Sequence, residues 1–259
     1  MTQIGLAMVT VNQTFCSGWG RTLMEIARTG IKGVEWKTFF GYDAKELRRA
    51  LDLYGLISVA SHERRQCLRD YEQRKRMVEF QKILGTRYIV YTMGAVDTPR
   101  ETKALIEELN EVGRCLREDG LELLYHNHAE EYKIRNGRYV MDEILAGVEE
   151  ENANLELDVL YLNGVHRIPV RPYMLSQSRR IRMIHAKDGY VDFARTDKQA
   201  EMMYGIPLPA GEGIVDLSAT VQTAGELGIE WLMIENEEPE ADVWQEVHTS
   251  LTRLSAMLP

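Results

Sequence analysis

The chain has 259 residues, 44% of them hydrophobic, which is enough to bury a sizeable core. Its formal charge of −9 and pI near 5.3 argue against nucleic-acid binding, because such proteins usually carry a basic patch or stripe. The start, MTQIGLAMVTVNQ, has no basic residues before its apolar ones, and no apolar run is long enough to span a membrane. We therefore expect a cytoplasmic protein that acts on a small molecule, without a nucleic-acid or membrane partner.

Short apolar runs alternate with longer amphipathic segments along the whole chain, and the short runs are predicted strands. They are QIGLAMV (3–9), GVEWK (33–37), LISVASH (56–62), YIVYTM (88–93), LELLYHN (121–127), NLELDVL (154–160), IRMIHAKD (181–188) and WLMIENE (231–237). Helices are predicted between them, for example AKELRRALDLYG, ended by Gly55, and RETKALIEELNEVGRCLREDG, ended by Gly120. Eight alternations without a linker predict a single (β/α)8 TIM barrel, one domain over residues 1–259. An open doubly wound sheet is the alternative, but no Gly-x-Gly-x-x-Gly follows the first strand.

Two insertions interrupt the regular alternation. EEYKIRNGRYV, after the fifth strand, contains Asn136-Gly137 and predicts a β-hairpin. The segment GYVDFARTDKQAEMMYGIPLPAGEG, after the seventh strand, has a length typical of a lid or binding loop. Its end, PAGEG, lacks the Lys-Ser/Thr of a phosphate loop, so Asp216 is predicted to be the N-cap of the next helix. Both insertions follow strands, on the face where barrel enzymes place their sites.

Ionisable side chains cluster at the ends of the predicted strands. Because side chains alternate across a strand, each of four pairs points to one face, which in a barrel is either the interior or the exterior. The pairs are Glu35 with Lys37, His126 with His128, Glu156 with Asp158, and His185 with Lys187; His62 and Glu235 end two further strands. A single strand histidine is more often a hydrogen-bonded core residue, and a Glu/Lys pair more often a structural ion pair. Together, however, these residues are expected to converge on one pocket.

A divalent cation would offset the cost of burying this set. Unpaired buried charges cost several kcal/mol each, and a barrel interior is built mainly from branched apolar side chains. Two carboxylates with one or two imidazoles suit Mn²⁺, Co²⁺, Fe²⁺ or Zn²⁺, whereas Mg²⁺ is least favoured by nitrogen donors. We therefore predict one divalent metal ion.

The motifs GIKGVEW, SVASH, ELDVLYLNGV, IHAKD, PAGEGIVDL and MIENE, in this order, resemble the sugar phosphate isomerase/epimerase family of xylose isomerase-like TIM barrels. The resemblance covers nearly the whole chain. It implies one metal ion at the C-terminal mouth of the barrel, with Asp158, His185 and Glu235 as ligands. The strand-five ligand of ketose epimerases is a glutamate, and that position is His126 here. The resemblance also implies a homodimer or a homotetramer.

The presence of His126 where ketose epimerases have a glutamate leaves several roles open. His126 is expected to bind the metal, with Glu131 completing the ligand shell or acting as the base. Alternatively, His128 or His62 is the base. Glu235 is a ligand that also transfers protons in the related epimerases, and Lys187 either neutralises charge on a substrate oxyanion or forms an ion pair with Glu156 or Asp158.

Further residues are predicted to bind the substrate. Arg64 and Arg65 follow His62 and are suited to a phosphate or carboxylate group, although the sequence somewhat favours a solvated charge pair in a loop. Trp19, Trp36 and Phe40 are candidates for packing on a sugar ring, and core packing or a subunit contact explains them equally well. With the pocket-facing Glu35 and Glu156 included, the predicted substrate-binding residues are Glu35, Arg64, Trp19 and Glu156.

The first functional hypothesis is a metal-dependent isomerase or epimerase that acts on a sugar, keto-sugar or related polyol through an enediolate. The second is a dehydratase or lyase that uses the same enolate, as in inosose dehydratase, which carries a similar histidine-rich run. A non-catalytic sugar-binding barrel is a third hypothesis. Cleavage of damaged DNA, the activity of other relatives, is disfavoured by the acidic charge and by only six histidines.

Overall fold

Eight parallel strands close into a barrel in the structure of the chain, a computed structural model that describes residues 1–37, 41–192, 205–239 and 242–258. The described strands are β1 (Gln3–Ala7), β2 (Gly33–Lys37), β3 (Ile57–Glu63), β4 (Tyr88–Thr92), β5 (Glu122–His126), β6 (Ile134–Arg135), β7 (Arg138–Tyr139), β8 (Ala153–Asp158), β9 (Ile181–His185), β10 (Asp188–Val191), β11 (Gly205–Leu208) and β12 (Trp231–Ile234). The barrel order is β1-β12-β9-β8-β5-β4-β3-β2. The predicted TIM barrel is confirmed, and closure of the sheet excludes the open doubly wound alternative.

Helices connect the barrel strands. They are α1 (Asn12–Thr29), α2 (Ala44–Tyr54), α3 (Arg65–Arg69), α4 (Tyr71–Leu84), α5 (Pro99–Glu118), α6 (Val140–Gly147), α7 (Val170–Ser176), α8 (Leu217–Leu227) and α9 (Val243–Met257). Helix α2 ends at Gly55, as predicted, because this glycine adopts a left-handed conformation with φ of 64°. Asp216 accepts a hydrogen bond from the backbone of Ala219 and is the predicted N-cap of α8. Within the described residues, no helix combines the length and the apolar character needed to cross a membrane.

The hairpin after β5 also forms as predicted. Strands β6 and β7 pair in antiparallel fashion. The two residues that connect these strands, Asn136 and Gly137, have φ values of 51° and 79°. Positive φ at both central residues is what a type I′ turn requires, which explains the Asn-Gly sequence. The second insertion forms a two-stranded antiparallel ribbon of β10 and β11. Residues 193–204 of that insertion lie outside the described residues.

Apolar side chains fill the inside of the barrel below its C-terminal mouth. They form one buried cluster, with members on five barrel strands: Val59, Ala60, Tyr88, Val90, Leu124, Met183, Trp231 and Met233. A larger cluster packs the outer strand faces against the helices. Since side chains alternate, the residue two positions after the last cluster member of each strand also faces the interior. These residues are polar: His62, Thr92, His126, His185 and Glu235. The barrel is therefore apolar at its base and ionisable at its mouth.

One buried carboxylate organises the segment that returns from β11 to α8. Asp188 is 1% exposed, and its oxygens accept hydrogen bonds from the backbone N–H groups of Gly189, Gly211, Gly213 and Val215 at 2.8 to 3.1 Å. A Cβ atom on Gly213 would lie 2.2 Å from the Asp188 carboxylate, so this close approach requires glycine. The amides of PAGEG therefore bind a side chain of the protein itself.

Replacing Asp188 with alanine is expected to lower the free energy of unfolding by about 3 kcal/mol or more. Each buried N–H group left without a partner costs about 1–3 kcal/mol. The N–H groups of Gly189 and Val215 lose their acceptor in buried surroundings, and those of Gly211 and Gly213 lose it in partly exposed ones. Urea denaturation measures the change. The control is Asp119→Ala, which removes only a half-exposed ion pair with Lys82 and should cost about 1 kcal/mol or less. Equal losses in both variants would show that Asp188 does not hold this segment together.

Candidate metal centre

The C-terminal ends of six barrel strands bring the predicted ionisable side chains together at the mouth. They are Glu35 on β2, His62 on β3, His126 on β5, Glu156 and Asp158 on β8, and His185 on β9, with Lys187 and Glu235 just beyond β9 and β12. All except His62 are buried. The register explains this arrangement, because His126 lies beside Glu156 and Asp158 lies beside His185 in neighbouring strands.

Two overlapping groups of these side chains have the spacing of metal ligands. Asp158, His185 and Glu235 form one group, and His62, His126, Glu156 and His185 form the other. Within each group, one potential ligand atom per residue lies within 4.8 Å of all the others. The first group contains the three ligands implied by the family resemblance, and its mixture of carboxylates and imidazole suits a first-row divalent cation.

Asp158 has one oxygen fixed by the backbone and one that faces the site. Its Oδ1 accepts hydrogen bonds from the N–H groups of Leu160 and Tyr161, in the π-helical turn Leu160–Val165. Its Oδ2 is buried and has no hydrogen bond within the described part of the chain. Burial raises the pKa of Asp158 to about 7, although Lys187 opposes that change. A buried carboxylate oxygen without a hydrogen bond in this position fits a metal ligand.

His185 contacts carboxylates with both of its nitrogens. Nδ1 lies 2.9 Å from Glu235 Oε2 and Nε2 lies 2.6 Å from Glu35 Oε2. Burial alone would lower the pKa of His185, but Glu156, Glu35 and Glu235 together raise it well above its ordinary value. The surroundings therefore favour positive charge at this ring. A metal ion at Nδ1 would supply that charge in place of a proton.

The other two histidines of the cluster differ in charge. Burial lowers the pKa of His126 to about 4, despite a 2.8 Å hydrogen bond from Nδ1 to Glu156 Oε2. Burial would also lower the pKa of His62, but Glu35 and Glu156 outweigh it and raise the pKa to about 10. His126 is thus a neutral imidazole able to bind a metal, whereas His62 is protonated and unsuited to act as a base at neutral pH.

Lys187 is a fixed cation beside the candidate ligands. Its ammonium group lies 2.6 Å from Glu237, 3.3 Å from Glu235 and 3.9 Å from Asp158. Burial would lower the pKa of Lys187, but Glu235 and Glu237 raise it well above its ordinary value. Of the two predicted ion-pair partners, Asp158 is in range, and the shorter contacts are with Glu237 and Glu235. A permanently charged ammonium group here is suited to stabilising negative charge on a substrate oxygen.

His128 and Glu131 lie just after β5 and occupy different positions. His128 lines the cavity above the cluster, and its Nδ1 has no hydrogen bond among the described residues. Burial, with His126 and Lys187, lowers the pKa of His128 well below its ordinary value. Glu131 belongs to neither ligand group, because its carboxylate accepts hydrogen bonds from the Tyr125 hydroxyl and the His128 backbone at 2.5 and 2.9 Å. Glu131 therefore holds the His128 backbone in place.

Replacing Glu131 with glutamine is expected to flatten the pH dependence of stability. Burial raises the pKa of Glu131 from its ordinary value of 4.5 to about 7. Because the folded-state pKa is the higher one, the stability that this group contributes is fully present below pH 4.5 and is lost as the pH rises through 7. The wild type should lose about 3 kcal/mol relative to the variant across this window. Urea denaturation of both proteins from pH 4 to 8 measures the difference, and parallel curves would contradict the raised pKa.

Two neighbouring cavities, which share part of their lining, lie at the cluster. The smaller one, about 110 Å³ in volume, is lined by Glu35, His126, His128, His185 and Glu235 among others. The larger one, about 510 Å³, shares Trp36, Lys37 and His62 with it and extends outward to Arg64. A small polar ligand thus has a reactive end and an outer chamber available to it.

The predicted substrate-binding residues do not all line these cavities. Arg64 lines the larger cavity, whereas Arg65 forms a bidentate ion pair with Glu108. Trp19 packs against the hydrophobic core, and Trp36 is the described tryptophan that lines both cavities. Phe40 lies outside the described residues. Glu156 is fully buried and hydrogen-bonded to His126. Glu35 is hydrogen-bonded to His185 and also lines the smaller cavity.

Two residues of the site were not predicted. Glu237 lies two positions after Glu235 in IENE, and the alternation that paired the other residues would have identified it. Asn127 lies between the two histidines of strand five, and its side chain bonds to the backbone N–H and C=O of Asp158. No local pattern signals that contact, because it joins positions 31 residues apart.

The sequence model of the xylose isomerase-like TIM barrel family matches residues 23–254. The chain belongs to this family. The chain is 25% identical to inosose dehydratase of Clostridium beijerinckii, with 85% of this chain and 83% of that protein covered. Its fold is similar to that of a sugar phosphate isomerase/epimerase from Parabacteroides distasonis, with a TM-score of 0.79, 19% identity, and 100% and 98% coverage. It is also similar to the IOLI protein, solved with a zinc atom, with a TM-score of 0.72, 16% identity, and 99% and 98% coverage. At 19% and 16% identity, these two structural similarities are evidence for a shared fold alone.

Proposed function

We propose that this chain is a divalent-metal-dependent enzyme that removes the proton next to the carbonyl group of a keto-polyol or keto-sugar. The proposal is supported by the buried group of Asp158, His185 and Glu235 at the barrel mouth, where Asp158 Oδ2 has no hydrogen-bond partner among the described residues. These three residues, with His126, would hold the cation. When bound, such a cation acts as a Lewis acid on the carbonyl and an adjacent hydroxyl group of the substrate.

His128 is the residue that we assign to proton transfer. It lines the smaller cavity, its ring is neutral at neutral pH, and its Nδ1 is not engaged by any described residue. Glu131 fixes the His128 backbone, and the Tyr161 ring lies 5.1 Å from the imidazole. Lys187, as a fixed cation, stabilises negative charge that develops on the substrate oxygens. His62, being protonated, is assigned no proton abstraction.

Among the reactions open to such an enolate, we propose dehydration as the first candidate. Epimerisation in related enzymes uses glutamates of the fifth and eighth barrel strands, on opposite faces of the substrate. These barrel strands are β5 and β12 here, and β5 carries His126 in place of a glutamate. A single histidine suffices for loss of water: it takes the proton from one carbon and returns it to the hydroxyl group that leaves the next carbon, so that a C=C bond forms and water departs. The similarity to inosose dehydratase over most of the chain supports this choice.

Isomerisation of a phosphorylated sugar is the second candidate. Lys37 and Arg64 line the larger cavity, and two cationic side chains are suited to a phosphate group. One histidine would also suffice here, because it can return the proton to the neighbouring carbon. The metal-binding residues would be the same in both reactions.

The test is proton exchange and turnover in D₂O, followed by NMR. The protein is loaded with Mn²⁺ or Zn²⁺ and incubated with inosose, with free ketoses and with phosphorylated ketoses. Dehydration predicts loss of water from inosose, and isomerisation predicts deuterium at the carbon next to the carbonyl of a sugar phosphate. If the metal-loaded protein exchanges no proton in any of these compounds, the proposed enzyme activity is wrong and a sugar-binding barrel is the better interpretation.

A further inference from the structure

Two buried glutamates lie behind the histidines of the candidate metal centre. Glu35 and Glu156 are 1% and 0% exposed, and they belong to strands β2 and β8. Buried carboxylates of this kind are costly unless each oxygen has a partner. Three of their four oxygens lie within hydrogen-bonding distance of imidazole nitrogens. The fourth, Glu156 Oε1, makes no hydrogen bond among the described residues but lies 3.3 Å from His185 Nε2.

Glu35 contacts the nitrogen of His185 that lies opposite the one facing Glu235. His185 Nδ1 lies 2.9 Å from Glu235 Oε2, within the group that includes Asp158. Its second nitrogen, Nε2, donates to Glu35 Oε2 at 2.6 Å. An imidazole binds a metal through one nitrogen, and the N–H of the other needs an acceptor that fixes the tautomer and the ring orientation.

Glu156 stands in the same relation to His126. Nδ1 of His126 donates to Glu156 Oε2 at 2.8 Å. The opposite nitrogen, Nε2, lies 4.0 Å from Asp158 Oδ2. That oxygen is the buried one for which no hydrogen-bond partner exists among the described residues. His126 therefore presents Nε2 towards the candidate ligands while Glu156 holds its other side.

His62 connects the two glutamates. Its Nε2 lies 2.9 Å from Glu35 Oε1 and 3.0 Å from Glu156 Oε2. A single N–H group thus bridges the carboxylates that hold His185 and His126. The result is a continuous chain of contacts, His185–Glu35–His62–Glu156–His126, that begins and ends at a histidine of the candidate metal centre.

We propose that Glu35, His62 and Glu156 are positioning residues that orient His185 and His126 for metal binding, and that the two glutamates are not themselves ligands. This inference rests on the metal site of the proposed function. It assigns to Glu35 and Glu156 a role other than substrate binding. The competing arrangement is direct coordination of a second ion by His62, His126, Glu156 and His185, which have suitable spacing.

The experiment measures metal binding directly, without a substrate. Metal-free wild type, Glu35→Gln and Glu156→Gln are titrated with Zn²⁺ in competition with a chromophoric chelator, and the Co²⁺ absorption spectrum of each protein is recorded. The matched control is Glu63→Gln, which alters a buried β3 carboxylate bonded to Ser61 and Gln81. Circular dichroism checks folding, and His62→Gln replaces any glutamine variant that fails to fold.

The proposal predicts that each glutamine variant still binds one Zn²⁺ but with affinity lowered about 10- to 100-fold. The Co²⁺ bands should keep their positions, because no ligand is removed, and Glu63→Gln should match the wild type. Two ions per wild-type chain, or a changed Co²⁺ spectrum in Glu156→Gln, would overturn the proposal in favour of direct coordination. Unchanged affinity in both variants would overturn the positioning role alone, whereas a wild type that binds no ion would overturn the proposed function as well.

Discussion

Glu235→Gln is expected to abolish both metal retention and turnover. The amide would remove the negative charge that lies 2.9 Å from His185 Nδ1 and 3.3 Å from the Lys187 ammonium group. Loss of the Lewis acid costs several kcal/mol of transition-state stabilisation, so the rate should fall about 1,000-fold or more. Elemental mass spectrometry of the purified variant and the NMR assay with the active substrate measure the two effects.

The control for this variant is Glu111→Gln, which makes the same chemical change at an exposed position of α5. It should retain the metal and the rate of the wild type. A Glu235→Gln protein that keeps its metal while losing activity would show that Glu235 acts on the substrate and is not needed as a ligand. Full retention of both properties would contradict the assignment of Glu235 altogether.

His128→Asn is expected to separate proton transfer from metal binding. The variant should bind metal as the wild type does, because Asp158, His185, Glu235 and His126 are unchanged. Its rate should fall about 100- to 10,000-fold, the usual contribution of a positioned general acid or base. Single-turnover kinetics and metal analysis on the same sample measure both properties.

His248→Asn is the matched control, since His248 is exposed on α9. Loss of metal from His128→Asn would place His128 in the ligand shell. An unchanged rate would transfer the acid/base role to another residue of the smaller cavity. Either result would require a new assignment for the proton transfer, and neither would affect the fold or the ligand group.

The fold was predictable because strands and helices have different hydrophobic periods. Each predicted strand overlaps a barrel strand, and β2 has the predicted bounds, residues 33–37. The largest differences occur at C-terminal ends: IRMIHAKD was predicted as one strand, yet β9 ends at His185. Polar residues beyond that point leave the barrel ladder, and Asp188 begins the separate β10–β11 ribbon. Hydrophobic alternation cannot locate such an exit, since the alternation continues through it.

The site was predictable as a set of residues and not as a set of contacts. Alternation placed Glu156 and Asp158 on one face, and the structure confirms that both lie in the cluster. Alternation could not show that Asp158 Oδ1 is bonded to backbone N–H groups while Glu156 Oε2 is bonded to His126. In both carboxylates the other oxygen is buried without a hydrogen bond among the described residues. Nor could it show that Glu131 bonds to Tyr125 and the His128 backbone. Those distinctions depend on residues from different strands, whose relative positions follow only from closure of the barrel.

The metal centre is tested most directly by the metal content of the purified wild-type protein, measured by elemental mass spectrometry. We expect about one divalent ion per chain, removed by a strong chelator and restored by Mn²⁺ or Zn²⁺. A protein that holds no ion, even after incubation with either cation, would contradict the metal centre and with it the proposed reaction.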